Sequence, residues 1–340
     1  MDLEKVKGFN LYLTLRRWGI SRPEKVEQHF VTAHRHCDHL LSARLHALFG
    51  SARRRAGDLA EARLALEIAE EKARQIHDEW CLYDVWQRTA HVYGDRLEFK
   101  RALRLSEKAA LGFATTVTLA KIERRIGEGR ATFDMGLWLK KQGKPEAGIS
   151  KYRRALRLLP HSEIGSRLAA FQNISNAYRE MGETEEALDW LVGMEKAASV
   201  ASRPFGREVR SPLSRTQAIE YQGWLLMSLG RWEEAVSRLE FARALYGENS
   251  FEFEMALCTI PLCRALFECT RIAEARVVAL ETAEKLRSAK GNPLAHRAIT
   301  ILTTTVWAQR RLDEPLLDEL LGMVERARSS AGRALDDDQP

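Results

Sequence analysis

The residues with the most obvious chemical potential lie close together near the start of the chain. His34 to His39 read HRHCDH, an HxHxDH spacing that presents imidazoles and a carboxylate to zinc when a turn aims them inward. Five of the nine histidines fall between His29 and His46, which raises both a metal site on His36, His39 and Cys37 and a response to pH. Cys258, Cys263 and Cys269 form a second group, and arginine runs stand at Arg53–Arg55, Arg124–Arg125, Arg153–Arg154 and Arg310–Arg311. The sequence contains no glycine-rich phosphate loop, nucleophile elbow or paired carboxylates at usable spacing.

What these groups can do depends on the elements that carry them. HRHCDH lies in a segment with helical periodicity, Glu24 to Leu48, with no strand upstream. On one helix His36 and His39 share a face while His34 and Asp38 point elsewhere, so the loop geometry of the metallo-β-lactamase motif cannot form. A polar face of capping helices is the simpler expectation. A metal-dependent or phosphatase-type enzyme using the His29–His46 cluster stays as an alternative. The three cysteines are five and six residues apart, off any common helical face, and read as core thiols. The arginine runs fall on different segments and read as solvated helix faces. No helix-turn-helix is recognisable, and a nucleic-acid-binding helical repeat is kept only as a second alternative.

Composition narrows the class. With 45% hydrophobic and 29% charged residues in 340, the chain is a folded one rather than a disordered one. No apolar run approaches the roughly 18 residues of a membrane span. The opening MDLEKVKG lacks the apolar stretch of a secretion signal. Five cysteines without a CxxC pair argue against a disulfide framework or a zinc ribbon, so a reducing, cytoplasmic setting is expected. A net charge of +6 is mild for this length, and 9 prolines are too few for a turn-dense β architecture.

Internal repetition decides the fold. A breaker, a polar pair and a small residue opening a helix recur as GDLAEA (Gly57–Ala62), GKPEAG (Gly143–Gly148), GETEEA (Gly182–Ala187) and GRWEEA (Gly230–Ala235). Looser copies are LEFKRA (Leu97–Ala102) and TRIAEA (Thr270–Ala275). Twelve residues before each final small residue stands another: Gly50, Ala90, Gly136, Ser175, Gly223 and Cys263. Seven after it come Ala69, Ala109, Ala155, Met194, Ala242 and Thr282. Small residues at these places let antiparallel helices approach, with Tyr93, Leu139, Tyr178, Leu226, Leu266, Leu66, Tyr152, Leu191 and Leu239 filling the gaps.

The pattern resembles the tetratricopeptide repeat, with its best copy from Gly129 to Pro160. Six matches run from Arg44 to Arg287. The anchors are spaced 40, 46, 39, 48 and 40 residues against the family's usual period of about 34. The early tryptophan of that family survives only as Trp86. Both features resemble a long-repeat subclass like the sensor arrays of bacterial regulators. The expected architecture is an all-α, right-handed α-solenoid of about six such helix pairs. Its expected parts are N-terminal capping helices (1–42), a superhelix (43–290), a C-terminal capping helix pair (291–330) and a disordered acidic tail (331–340). Ser202 to Arg215 reads as a loop, and Pro261 as the late start of a first helix.

The resemblance implies that first helices line an inner wall gripping an extended peptide or partner segment. The positions so implied are Arg44, Arg54, Gln87, Arg88, His91, Arg130, Asp134, Lys140, Gln172, Asn173, Asn176, Arg179, Gln217, Glu220, Tyr221, Trp224 and Arg264. Gln172, Asn173 and Asn176 offer carboxamides that pair with both N–H and C=O of an extended backbone. Tyr221 and Trp224 supply aromatic anchors. Arg44, Arg54, Arg88, Arg130 and Lys140 bias the first half of the wall towards acidic groups or a C-terminal tail. The expected function is non-catalytic, an adaptor or a ligand-responsive regulator. No cofactor, metal or membrane is implied, and self-association stays open.

Overall fold

The computed structural model describes residues 12, 23–35, 38–201, 211–285, 300–301 and 312–336. Its helices are α1 (Pro23–Arg35), α2 (His39–Arg55), α3 (Leu59–Gln75), α4 (Glu79–Asp95), α5 (Phe99–Thr115), α6 (Lys121–Lys141) and α7 (Pro145–Leu158), then α8 (Ile164–Glu180), α9 (Thr184–Ala201), α10 (Ser211–Ser228), α11 (Trp232–Glu248), α12 (Glu252–Glu268), α13 (Ile272–Lys285) and α14 (Glu314–Asp336). No strand occurs among the described residues. The helices form antiparallel pairs, six of them: α2/α3, α4/α5, α6/α7, α8/α9, α10/α11 and α12/α13.

The spacing of small residues is what sets these pairs. All three small positions of all six repeats are buried. The first of them touches the backbone of the second. A Cβ placed on Gly50 would lie 3.0 Å from the Ala62 carbonyl oxygen, and one on Gly136 3.1 Å from that of Gly148. Where the first position has a polar atom it bonds the same carbonyl: Ser175 Oγ donates to Ala187 O at 2.8 Å and Cys263 Sγ to Ala275 O at 3.4 Å. The twelve-residue interval is therefore the point of closest helix approach.

The turn inside each pair is equally regular. One residue per turn takes left-handed backbone: Gly57 (φ 87°), Leu97 (62°), Gly143 (74°), Gly182 (83°), Gly230 (72°) and Thr270 (59°). The next amide donates back to the carbonyl five residues earlier, as in Asp58 N to Arg53 O (3.0 Å) and Glu98 N to Tyr93 O (2.9 Å), which closes the helix end. Leu97 and Thr270 thus hold a conformation that suits glycine. Leu97 is 75% exposed, so Leu97→Gly loses little packing. It is expected to raise stability by about 1 kcal/mol, read as a higher urea midpoint at unchanged slope.

Several expectations are corrected. Glu24 to Leu48 is two helices, because Asp38 caps α2 by accepting from Leu41 N at 2.9 Å. Pro261 lies inside α12, which starts at Glu252. The ring removes one backbone bond, and α12 is kept helical by burial on both sides, with Ile260, Leu262 and Cys263 all 0% exposed. Ser211 to Arg215 belongs to α10 rather than to a loop, and α14 runs to Asp336, into the segment expected to be disordered. His36, Cys37 and most of Leu3–Trp18, Ser202–Arg210 and Pro293–Arg310 lie outside the described residues.

The chain divides into two compact units, the first essentially Met1–Asn173 and the second Ile174–Asp337. In the first, α2 also packs on α4, and α4 on α6; in the second, α10 also packs on α12. First helices therefore stand side by side within each unit.

Candidate partner-binding face

In the first unit the residues expected to line the wall are joined to one another. Arg44 donates from Nε and Nη2 to Asp78 Oδ2 at 3.2 and 3.0 Å, linking α2 to the cap of α4. Arg54 pairs with Asp95 at 2.9 Å. Arg88 donates to Asp84 Oδ2 at 2.7 Å and to Ser51 Oγ at 2.6 Å. Between α4 and α6, Gln87 Nε2 donates to Asp134 Oδ2 at 3.1 Å, and His91 Nε2 stands 3.2 Å from Asp134 Oδ1. The His91 ring rests edge-on against Trp138, 5.1 Å between centroids. Arg130 reaches Glu163 Oε2 at 2.7 and 3.1 Å.

These contacts tie each first helix to the next, and they correct the expected charge of this wall. Arg44, Arg54, Arg88 and Arg130 each face a carboxylate of the chain itself, so these four are not unanswered cations awaiting an acidic tail. Burial works against the charge of Arg44 and Arg88, yet Asp78 and Asp84 more than offset it and hold both guanidinium pKa values above the ordinary one. A carboxylate about one repeat downstream of Arg44, Arg54 and Arg130 was the missed signal: Asp78 follows Arg44 by 34 residues, Asp95 follows Arg54 by 41, and Glu163 follows Arg130 by 33. Lys140 is half-buried near the end of α6.

On α8, Gln172 and Asn176 are half-buried and Arg179 is exposed. Asn173 is only 3% exposed. Its Nδ2 donates to Ala169 O at 3.1 Å, and its Oδ1 accepts from the Tyr152 hydroxyl at 3.5 Å. Asn173 therefore serves the fold, and the expected row of three carboxamides is reduced to two.

In the second unit, Gln217, Tyr221 and Trp224 are half-buried on α10. Their spacing of four and three residues puts them on one stripe of that helix. Glu220, beside them in sequence, is instead 1% exposed and accepts from the Tyr246 hydroxyl at 2.8 Å. Arg264 is enclosed by Glu268 (2.6 Å), Glu314 (3.2 Å) and Asp318 (3.6 Å), so α14 covers its place on α12.

Two rings of the histidine-rich segment pack together, His46 buried and His34 exposed beside it. His46 Nδ1 lies 2.7 Å from Ser42 O, and His34 Nε2 3.1 Å from Ser42 Oγ. The two rings meet edge-on at 5.0 Å, against Phe30. Burial holds the His46 pKa below its ordinary value. No group of three or more metal-type side chains occurs among the described residues. The Cys81 and Cys263 thiols are pushed up to about 12 by burial, which keeps them protonated and unreactive. No helix among the described residues is long and apolar enough to cross a membrane.

No protein-family model matches the chain, and no curated protein does. Solved structures do resemble it. Aspartyl phosphate phosphatase F from Bacillus subtilis superposes with a TM-score of 0.56 at 15% identity, covering 98% of this chain and 86% of that one. A signal transduction ATPase with numerous domains and a tetratricopeptide repeat sensor, from Pyrococcus horikoshii, gives 0.59 at 12% identity, covering 98% of this chain and 49% of that one. A Rap protein complexed with competence and sporulation factor gives 0.52 at 14%, covering 92% and 84%. Helix pairing, the small-residue contacts and these superpositions agree: the chain has the tetratricopeptide-like helical-repeat fold.

Proposed function

We propose that this protein is a non-catalytic, cytoplasmic partner-binding scaffold of the regulatory kind. Its second unit receives an extended protein segment on the stripe of α10 formed by Gln217, Tyr221 and Trp224, with Asn176 and Arg179 contributing from the preceding first helix. The observation that carries this reading is the composition of one helix stripe. Gln217, Tyr221 and Trp224, half-buried at a spacing of four and three residues on α10, put one carboxamide and two large aromatics in a row. Such a row supplies backbone hydrogen bonding and apolar anchorage together. The similarity to a Rap protein in complex with competence and sporulation factor supports a segment as the ligand class, by analogy of fold only.

The test compares capture by native protein and by the variant Gln217→Ala/Tyr221→Ala/Trp224→Ala, with both melting temperatures measured. Loss of specifically held partners at an unchanged melting temperature is expected. Identical captured sets would place binding elsewhere.

A further inference from the structure

Among the described residues α1 has one extensive contact, with α2, whereas α2 to α6 each pack on at least two helices. An element with so few neighbours is the one that opens at least cost. The apolar part of its contact is small: Val26 packs with Leu45, Leu48 and Ala52 of α2, and Phe30 lies against that cluster. The remainder is built on two imidazoles. Phe30 meets the His46 ring edge-on at 5.2 Å, and His34 meets it edge-on at 5.0 Å.

Ser42 joins the two rings, with its carbonyl oxygen 2.7 Å from His46 Nδ1 and its hydroxyl 3.1 Å from His34 Nε2. A carbonyl oxygen only accepts, so neutral His46 carries its proton on Nδ1 and has Nε2 left to take a second. That second proton would place a cation in a site only 8% exposed. Burial is the largest force against it, and His34 from α1 and Lys72 from α3 add to it. Neither α1, α3 nor α4, the helices packed on α2, brings a carboxylate to bear on the His46 ring among the described residues.

When α1 leaves, Phe30 and His34 leave with it and His46 meets water, while Lys72 stays on α3. The undocked form therefore takes the proton more readily than the docked one. Docking is complete above the ordinary histidine value of about 6.5 and is lost as pH falls below it. We propose that His46 and His34 form a pH-sensitive latch that holds α1 on α2 at neutral pH and releases it in acid, baring Leu45 and Leu48 of α2. The latch is independent of the α10 stripe.

Hydrogen exchange of the full-length chain, read by mass spectrometry at about pH 7.5 and about pH 5.5, tests the latch. Rates are expressed as protection relative to an unstructured peptide at the same pH, which removes the intrinsic pH dependence of exchange. One proton linked to release changes the docking equilibrium by at most about tenfold per pH unit below the ordinary value. Protection of Pro23–Arg35 should fall about tenfold at the lower pH, and that of α4 and α6 should hold. His46→Gln keeps a donor for Ser42 O and removes the buried titrating group, so its α1 protection should be the same at both values. His34→Gln should keep part of the fall, because His46 is still buried by Phe30. Nuclear magnetic resonance of the chain with labelled histidine rings gives a second readout that needs no variant. The His46 signal should titrate below free histidine, and release of α1 should follow it. Unchanged α1 protection in the native chain, an equal fall in native and His46→Gln chains, a fall shared by α4 and α6, or a His46 ring that titrates like free histidine would overturn the proposal.

Discussion

Gly136→Leu is expected to destabilise the third helix pair by about 3 kcal/mol, the upper part of the usual range for overpacking. A Cβ on Gly136 would sit 2.7 Å from Tyr152 Cε1, 2.8 Å from Tyr152 Cδ1 and 3.1 Å from the Gly148 carbonyl oxygen. Tyr152 is 0% exposed, so its ring has nowhere to retreat, and a backbone oxygen cannot yield without parting α6 from α7. Because each pair in a repeat array supports its neighbours, loss should spread along the first unit. A chemical melt followed by circular dichroism checks this. An unchanged midpoint would mean that the twelve-residue contact does not set the pairing.

Asp134→Ala is expected to cost about 2 kcal/mol or more. Asp134 is 7% exposed and Gln87 8%, and removing the carboxylate leaves the Gln87 amide and the His91 imidazole facing a void. An orphaned buried donor carries its full desolvation penalty, about 1–3 kcal/mol. Asp134→Asn keeps an acceptor for Gln87 and should recover part of the loss. Equal stability of all three chains in thermal melts would show that the bond between α4 and α6 is dispensable.

These two variants mark where the sequence was legible. The interval from Gly136 to Gly148 states the helix contact directly, because only small residues permit it. The turn register was legible even in the imperfect copies, where Leu97 and Thr270 adopt the backbone of the glycines they replace. The helix break at Asp38 was harder to see, since no glycine or proline marks it and a single aspartate cap does the work. Pro261 misled because propensity favours a helix start at proline, while tertiary burial kept α12 continuous through it. The binding wall was the least legible part. The positions of Arg44, Gln87 and Arg130 on first helices were readable. Their partners Asp78, Asp134 and Glu163 lie 34, 47 and 33 residues away, and only packing brings them within bonding distance. Asn173 is the same lesson on one helix, a polar residue turned inward to its own backbone and to Tyr152.

The central claim is that a protein segment binds along α10. Hydrogen exchange read by mass spectrometry, with and without a captured partner segment at saturating concentration, tests it most directly. The account predicts slowed exchange concentrated in Ser211–Ser228 and at the end of α8 around Asn176 and Arg179. Protection confined to second helices such as α11 and α13, with α10 unchanged, would contradict it.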